Sequence, residues 1–223
     1  MAASREKYEE LIKELSASGT TLVAVSKTKP PEDVLELYNL GQRDFGENYV
    51  QELIDKHSKL PTDIRWHFIG HLQSNKVKFI APFVHLIHGV DTLKLMREIN
   101  KQGAKISRVI PVLLQVHIAS EETKFGFDET ELNEALSHID ELLNISIEGL
   151  MGMASFTDDQ QKVRHEFISL KKLFDQSRQL ISSDDRKKKF RILSMGMSSD
   201  YKIAIEEGSN LVRIGSILFG ARS

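Results

Sequence analysis

The sequence has 223 residues, and its 30 lysine and arginine residues are balanced by 32 aspartate and glutamate residues, for a formal net charge of -2. This balance argues against a nucleic acid or an anionic membrane surface as a partner, because both attract strongly basic proteins. The absence of cysteine excludes disulfide bonds, thiolate metal ligands and a cysteine nucleophile. The N-terminal residues are too charged for a secretory signal, and no apolar run reaches membrane-spanning length. We therefore expect a cytoplasmic protein, and we expect it to be a monomer.

Short apolar runs alternate with segments of helical periodicity along the whole chain. A first helix is predicted over about residues 4–16. Eight strands are predicted after it, and several are continuously apolar, which is typical of parallel strands buried on both faces. The predicted strands are Thr21–Ser26, Asp44–Gly46, Arg65–Ile69, Leu86–Val90, Val109–Ile118, Ile147–Met153, Ile192–Met195 and Leu211–Phe219.

Helix start signals separate these strands. Pro30 and Pro31 open one helix, and Asp128 with Glu131 matches the capping-box pattern of another. Eight βα units suit either a closed (β/α)8 TIM barrel or an open doubly wound sheet, and periodicity alone does not separate the two. We favour the α/β barrel, which needs at least about 200 residues. Residues 1–223 are therefore predicted to form a single domain.

The first predicted strand runs from apolar residues into Ser26 and Lys27. This places a lysine at the end of the barrel that carries the functional sites of TIM barrels. An ammonium group there loses hydration, which favours the neutral amine that attacks a carbonyl group. Lys27 is therefore the candidate Schiff-base lysine, and Lys29 ranks second because the prolines after it direct it into the departing loop. The alternative for Lys27 is a structural lysine whose stem packs while its charge stays in water.

The C-terminal part of the sequence predicts an anion-binding site. Ser198 and Ser199 precede a predicted helix, where hydroxyl groups and free backbone N–H groups can face an anion. Gly215, within the last predicted strand, lets a phosphate approach the backbone. Arg213, within an apolar strand, requires an acceptor from an acidic partner or a ligand. Taken singly, the serines also fit ordinary helix caps and the glycine a packing position.

A lysine on the first strand and an anion site after the last two strands together describe a pocket for a carbonyl compound that carries a phosphate. Pyridoxal 5′-phosphate fits this description as a cofactor. A phosphorylated ketose in a Schiff-base aldolase fits it too. Composition and spacing leave both ligands open.

Six sequence blocks occur in order between Leu22 and Arg222. They are Ala24–Pro30, Phe45–Glu52, Trp66–Lys76, Gly149–Met153, Leu193–Ser198 and Val212–Arg222. Together they resemble the pyridoxal-phosphate homeostasis protein family, whose members look like the N-terminal barrel domain of alanine racemase without its β domain. The resemblance implies a protein of vitamin B6 homeostasis that holds the cofactor rather than an enzyme, with apo forms of enzymes that use pyridoxal phosphate as its partners.

The resemblance also implies roles for individual residues. Lys27 becomes the Schiff-base lysine, Arg213 the neighbour of the pyridine nitrogen, and Asn48 a pocket residue beside the ring. The implied phosphate contacts are Ser198, Ser199, Gly215 and Ser216. The secondary cofactor-binding candidates are His67, Met195 and Lys124. For Lys124, in the loop after the fifth strand, a solvated lysine is the alternative.

The remaining sequence features are weaker indications of function. His67 and His71 do not predict a metal site, because Gly70 lies between them and the segment is not helical. The basic run 186–191 is predicted to be solvent-facing charge at the opposite end of the barrel. An amino-acid racemase that uses pyridoxal phosphate remains an alternative function, and it needs acid/base groups on both faces of the substrate carbon. Tyr49 is the tyrosine that the strand assignment places nearest the pocket.

Overall fold

The structure, a computed structural model, describes residues 4–119 and 125–220. Its eight strands are all parallel and close into a barrel in sequence order, with the eighth strand paired to the first. The strands are β1 (Thr21–Val25), β2 (Asp44–Glu47), β3 (Arg65–Phe68), β4 (Leu86–Val90), β5 (Ile110–Val116), β6 (Ile145–Gly152), β7 (Ile192–Ser194) and β8 (Leu211–Ile214). The barrel prediction is confirmed, and the open sheet is excluded.

Helices connect the strands and cover the outside of the barrel. They are α1 (Arg5–Ser18), α2 (Pro31–Asn39), α3 (Val50–Lys59), α4 (Val77–Ile80), α5 (Leu93–Lys105), α6 (Glu129–Ser137), α7 (Gln160–Leu180), α8 (Asp184–Lys189), α9 (Tyr201–Glu206) and α10 (Ser216–Phe219). The capping box at the start of α6 is present, since Asp128 and Glu131 each accept the other's backbone N–H. In the part of the chain that the structure describes, every helix is too short or too polar to traverse a bilayer.

The predicted last strand, Leu211–Phe219, is too long. The strand ends at Ile214, and Ser216–Phe219 forms the short helix α10. The run is apolar because Leu218 and Phe219 pack into the core from a helical turn. A short apolar run does not distinguish a strand from a buried helical turn. The other predicted strand boundaries differ from the observed ones by two residues or fewer.

Alternate side chains of each strand fill two separate layers. Those that point outward pack under the helices in a large apolar core that includes Phe45, Trp66 and Phe167. Those that point inward fill the lumen with a small apolar cluster of Val23, Leu86, Leu113, Met151 and Leu211. Near the two ends of each strand, the inward side chains face the open ends of the barrel, and the cavities lie there.

Candidate functional site

A cavity of about 430 Å³ opens at the C-terminal ends of the strands. It is lined by Val25, Lys27, Lys29, Asn48, Ile69, Met153, Phe156, Met197, Ser198, Ser199, Arg213, Gly215, Ser216, Phe219 and Gly220. All seven residues that the sequence puts forward as primary candidates are in this set. The fold therefore brings together groups that lie up to nearly the whole length of the chain apart.

Lys27 lies in the loop between β1 and α2, and the backbone is held on both sides of it. The carbonyl oxygen of Ser26 accepts a hydrogen bond from Lys56 Nζ at 2.7 Å. The backbone N–H of Thr28 donates to Glu52 Oε1 at 2.7 Å. Thr28 has a φ of 64°, a left-handed conformation that is rare for a β-branched residue. Helix α3, which supplies both partners, thus fixes the position from which Lys27 enters the cavity.

The two partners belong to a buried ionic cluster that sequence reasoning missed. Lys56 Nζ lies 2.6 Å from Glu47 Oε1 and 2.7 Å from Glu52 Oε1. Ser26 Oγ donates to the same oxygen of Glu47 at 2.6 Å. Burial raises the pKa of Glu47 to about 7, although the charge of Lys56 opposes this shift. Nothing in the spacing of Lys56 distinguishes it from a surface lysine of an ordinary amphipathic helix.

Lys29, the second-ranked lysine, also lines the cavity but its amine is engaged. Its Nζ donates to the carbonyl oxygen of Phe219 at 2.9 Å. This bond joins the loop after β1 to the end of α10. Lys29 therefore links two of the segments that line the cavity.

Arg213 is a fixed, buried cation in the cavity wall. Its Nη1 donates to the carbonyl oxygen of Ser194 at 3.0 Å and to Ser194 Oγ at 2.6 Å, and its Nη2 donates to the carbonyl oxygen of Gly152 at 3.1 Å. Burial lowers the pKa of Arg213 to about 10, against the opposing effect of Asp200. The guanidinium group therefore stays protonated at neutral pH, and it can only donate hydrogen bonds.

Serine and glycine residues after β7 and β8 form the side of the cavity suited to an anion. Ser198 Oγ accepts from the backbone N–H of Gly215 at 3.4 Å. A Cβ atom on Gly215 would lie 3.1 Å from the carbonyl oxygen of Val25, so this close approach of β8 to β1 favours glycine. Ser216 begins α10, and its N–H has no partner within the helix. Hydroxyl and N–H donors thus converge here.

Asn48 lies where β2 ends, between this cavity and a neighbouring one of about 390 Å³ that Tyr49 lines. Its Oδ1 is buried and has no hydrogen-bond partner within residues 4–119 and 125–220. A buried acceptor without a partner costs about 1–3 kcal/mol. A ligand with a hydrogen-bond donor would satisfy it. Tyr49, 58% exposed, lines the neighbouring cavity instead of this one.

The structure does not bring the secondary candidates His67 and Met195 into this cavity. Met195 is fully buried in the layer between strands and helices. His67 is buried inside the barrel and interacts with Asp44 and His88. Lys124 lies outside the described residues.

His67 and His71 do not face one another. His71 Nδ1 lies 3.0 Å from Asp91 Oδ2, at the C-terminal side of the barrel. The structure instead groups His67 with Asp44 and His85, whose ligand-type atoms all lie within 4.8 Å of one another. Asp44 is already paired there with Arg65.

A second cavity, of about 600 Å³, opens at the N-terminal ends of the strands. Its charged and ring-bearing lining residues are Asp44, Arg65, His67, His85, Glu148 and Arg191. Arg191, the last residue of the basic run, thus faces this cavity. Functional sites of TIM barrels lie at the opposite, C-terminal end. The smaller cavity that contains Lys27 is accordingly the candidate site.

Comparison with known proteins gives consistent results along the whole chain. The sequence matches the family described as "Alanine racemase, N-terminal domain" over residues 1–223. It is 42% identical over 206 residues to the pyridoxal phosphate homeostasis protein of Aquifex aeolicus, covering 90% of this chain and 86% of that protein. It is 39% identical over 212 residues to the protein of the same name from Schizosaccharomyces pombe, covering 93% and 87%.

Solved structures agree. PipY of Synechococcus elongatus is 33% identical, over 96% of this chain and 99% of that one, with a TM-score of 0.88 for its structure without PLP and 0.85 for its structure with PLP bound. Alanine racemase of Bartonella henselae, with covalently bound pyridoxal phosphate, shares the fold with a TM-score of 0.74 at 17% identity, over 96% of this chain and 57% of that one. The resemblance expected from the six sequence blocks is confirmed. The chain belongs to the alanine racemase N-terminal-domain family, together with the relatives named pyridoxal phosphate homeostasis proteins.

Proposed function

We propose that the protein binds pyridoxal 5′-phosphate in the cavity that contains Lys27 and holds it as part of vitamin B6 homeostasis, without catalysing a reaction. The observation that carries this proposal is the convergence of an amine, a fixed guanidinium group and a cluster of hydroxyl and N–H donors on one cavity of about 430 Å³. This volume lies within the range of about 300–1,000 Å³ usual for small-molecule sites. The names of the relatives and the PLP in the PipY structure support the same ligand.

The residues present suit each part of the proposed ligand. Bound pyridoxal phosphate supplies an aldehyde for covalent attachment, an electron-poor ring and a phosphate group. Lys27 offers the amine that would bond to the aldehyde carbon. Arg213 donates to the ring nitrogen and, because it has no acceptor, favours the unprotonated form of that nitrogen. The hydroxyl and N–H groups of Ser198, Ser199 and Ser216 donate to the phosphate.

The wall of the cavity supports holding over catalysis. Racemisation requires a second acid/base group on the ligand face opposite the attached lysine. Among the described residues that line the cavity, Lys29 is the amine nearest this requirement, and its Nζ already donates to Phe219. Tyr49 lines the neighbouring cavity. The described lining also includes the apolar side chains of Met153 and Met197, which cannot act as acids or bases.

The rim of the cavity supports reversible exchange of the ligand. Phe156 at the rim is 94% exposed, so the cavity opens toward solvent. We propose that the recipients of the ligand are apo forms of enzymes that use pyridoxal phosphate. We also propose that residues 1–223 act as one domain, because the described residues contribute all eight strands to one closed barrel.

Absorption spectra before and after borohydride reduction test the binding proposal. Incubation with pyridoxal phosphate should produce a long-wavelength band that reduction abolishes, and peptide mapping should place the reduced adduct on Lys27. Lys27→Ala should abolish the band, whereas the matched variant Lys29→Ala should retain it. An adduct on Lys29 alone, or on no lysine, contradicts the assignment.

Hydrogen exchange tests the absence of catalysis. Single-enantiomer amino acids incubated in deuterated water with the loaded protein should keep their α-hydrogen and their configuration. Turnover with α-deuterium incorporation, lost in Lys27→Ala, would establish the racemase alternative instead.

A further inference from the structure

A chain of buried side chains crosses the lumen and connects the two cavities. Arg213 Nη1 lies 2.6 Å from Ser194 Oγ, which lies 3.2 Å from His88 Nδ1. His88 Nε2 lies 2.9 Å from His67 Nδ1, and His67 Nε2 lies 3.0 Å from Asp44 Oδ1. All five side chains are buried. The chain therefore runs without interruption from the wall of the candidate site to the cavity at the opposite end.

The two ends of this chain are an obligate hydrogen-bond donor and an obligate acceptor. Arg213 is a guanidinium group and can only donate. At the other end, burial acts to raise the pKa of Asp44, but the hydrogen bonds of Arg65 and His67 and the charge of Arg65 outweigh it and hold this pKa well below its usual range. Asp44 is therefore ionised and can only accept.

The groups between the ends can then all donate in one direction. Ser194 Oγ accepts from Arg213, which leaves its single proton available to His88 Nδ1. Burial, with the nearby charge of Arg213, holds the pKa of His88 well below its usual value, and the ring is neutral. A neutral imidazole carries one N–H, so His88 donates from Nε2 to His67 Nδ1.

The last link follows from the same rule. With its Nδ1 accepting, His67 donates from Nε2 to Asp44. The opposite direction would aim a lone pair of His67 at the carboxylate, unless His67 carried a second proton. Donation in one direction along the whole chain thus corresponds to one proton arrangement, in which His67 and His88 are each protonated at Nε2 and accept at Nδ1.

We propose that Ser194, His88, His67 and Asp44 are positioning residues, and that they form a polarised relay that orients the guanidinium group of Arg213 and compensates its buried charge. The hydrogen bonds of Arg213 go to neutral oxygens of Ser194 and Gly152. A buried cation is costly without compensation. The charge of Asp200 supplies part of this compensation. The relay adds to it, because every dipole in the relay turns its negative end toward Arg213 and its far end is a carboxylate.

The relay gives the cavity at the N-terminal end of the barrel an influence on the candidate site. Asp44 is held there by Arg65, whose side chain is 49% exposed. The effect on pyridoxal phosphate rests on the proposed function, whereas the arrangement of protons in the relay does not. The two claims therefore need separate measurements.

The proton arrangement is tested on the full chain without added ligand. Long-range ¹H–¹⁵N spectra of protein labelled in its histidine rings distinguish protonated from unprotonated ring nitrogens. At neutral pH, His67 and His88 should each show a protonated Nε2 and an unprotonated Nδ1, with signals assigned from His67→Gln and His88→Gln. A protonated Nδ1 on either ring, or a doubly protonated His67, overturns the relay.

The function of the relay is tested by Ser194→Ala, which removes the link between Arg213 and His88 but keeps both backbone acceptors of Arg213. We expect altered ring-nitrogen signals of His88 and affinity for pyridoxal phosphate weakened about tenfold, the effect of a hydrogen bond to a charged group. Ser177→Ala, a matched buried serine on α7, should change neither. Unchanged His88 signals and unchanged affinity in Ser194→Ala overturn the positioning role.

Two outcomes separate this inference from the proposed function. If the wild-type protein shows the expected ring protonation but does not bind pyridoxal phosphate, the relay stands and the proposed function fails. If it binds pyridoxal phosphate with the opposite ring protonation, the proposed function stands and the relay fails. The wild-type spectra decide the proton arrangement even if Ser194→Ala does not fold.

Discussion

Lys56 Nζ donates to the carbonyl oxygen of Ser26 at 2.7 Å, and this bond attaches helix α3 to the residue immediately before Lys27. The same amine is paired with Glu47 and Glu52. One buried cation therefore pairs with two carboxylates and holds the loop that presents the candidate ligand-binding lysine.

Replacement of this cation should destabilise the protein. Lys56→Met leaves the buried Glu47 without its partner, and removal of one member of a buried ion pair costs about 3–5 kcal/mol. Urea unfolding should show this loss in the free energy of unfolding. The matched variant Lys59→Met removes a lysine that is 57% exposed and paired with Asp55, and it should cost about 0–1 kcal/mol. Equal free energies of unfolding for the two variants would contradict the stabilising role that we assign to Lys56.

Glu47 gives the stability a specific pH dependence. Because burial raises its folded pKa from 4.5 to about 7, the folded state binds a proton more readily than the unfolded state. The contribution of Glu47 is therefore fully present below about pH 4.5 and is lost as the pH rises to about 7.

Glu47→Gln isolates this contribution, because glutamine keeps an oxygen acceptor for Lys56 and does not titrate. The free energy of unfolding of the wild type, measured relative to Glu47→Gln, should fall between about pH 4.5 and pH 7. Glu10→Gln, on the exposed face of α1, is the control and should run parallel to the wild type. Parallel profiles for Glu47→Gln would show that the carboxyl titrates normally.

Arg213→Gln should weaken the retention of pyridoxal phosphate. A hydrogen bond to a charged group contributes about 1.5–3 kcal/mol, so equilibrium dialysis should show affinity about 10-fold to 100-fold lower. Arg164→Gln removes a surface arginine that pairs with Glu206 and Glu207, and its affinity should match that of the wild type. Unchanged retention in Arg213→Gln would remove the arginine from the proposed site.

The anion side of the cavity is tested by comparing two ligands. Ser216→Ala removes a hydroxyl that we assign to the phosphate, so affinity for pyridoxal phosphate should fall about fivefold, as for one neutral hydrogen bond. Affinity for pyridoxal, which lacks the phosphate, should not change. Ser169→Ala, an exposed serine on α7, controls for substitution alone. An equal loss for both ligands would place Ser216 near the ring instead.

The residues at strand ends could be predicted from sequence because their position follows from local pattern. Lys27 follows an apolar strand, and Arg213 interrupts one; both line the cavity. The apolar run after Gly215 shows the limit of such patterns, since the pattern predicts a continuing strand where the structure has a helical turn.

The buried networks could not be predicted in the same way. Lys56 looks like any lysine of an amphipathic helix until α3 is packed onto β2. His88 and Ser194 are 106 residues apart and meet only because β4 and β7 face each other across a closed barrel. His67 is a hydrogen-bonded histidine inside the barrel, and its partners depend on the register of the strands.

The pairing of β1 with β8 places the first and last parts of the barrel side by side, with Val23 opposite Arg213. Lys29 and Phe219, 190 residues apart, are joined across the same junction. The groups after β8 are synthesised long after Lys27, so the candidate site is complete only when β8 has paired with β1. A ligand bound both to Lys27 and to the groups after β8 would link the two sides of the β1–β8 junction. Such binding stabilises the folded state by mass action. The loaded protein should thus resist opening of the barrel between β1 and β8.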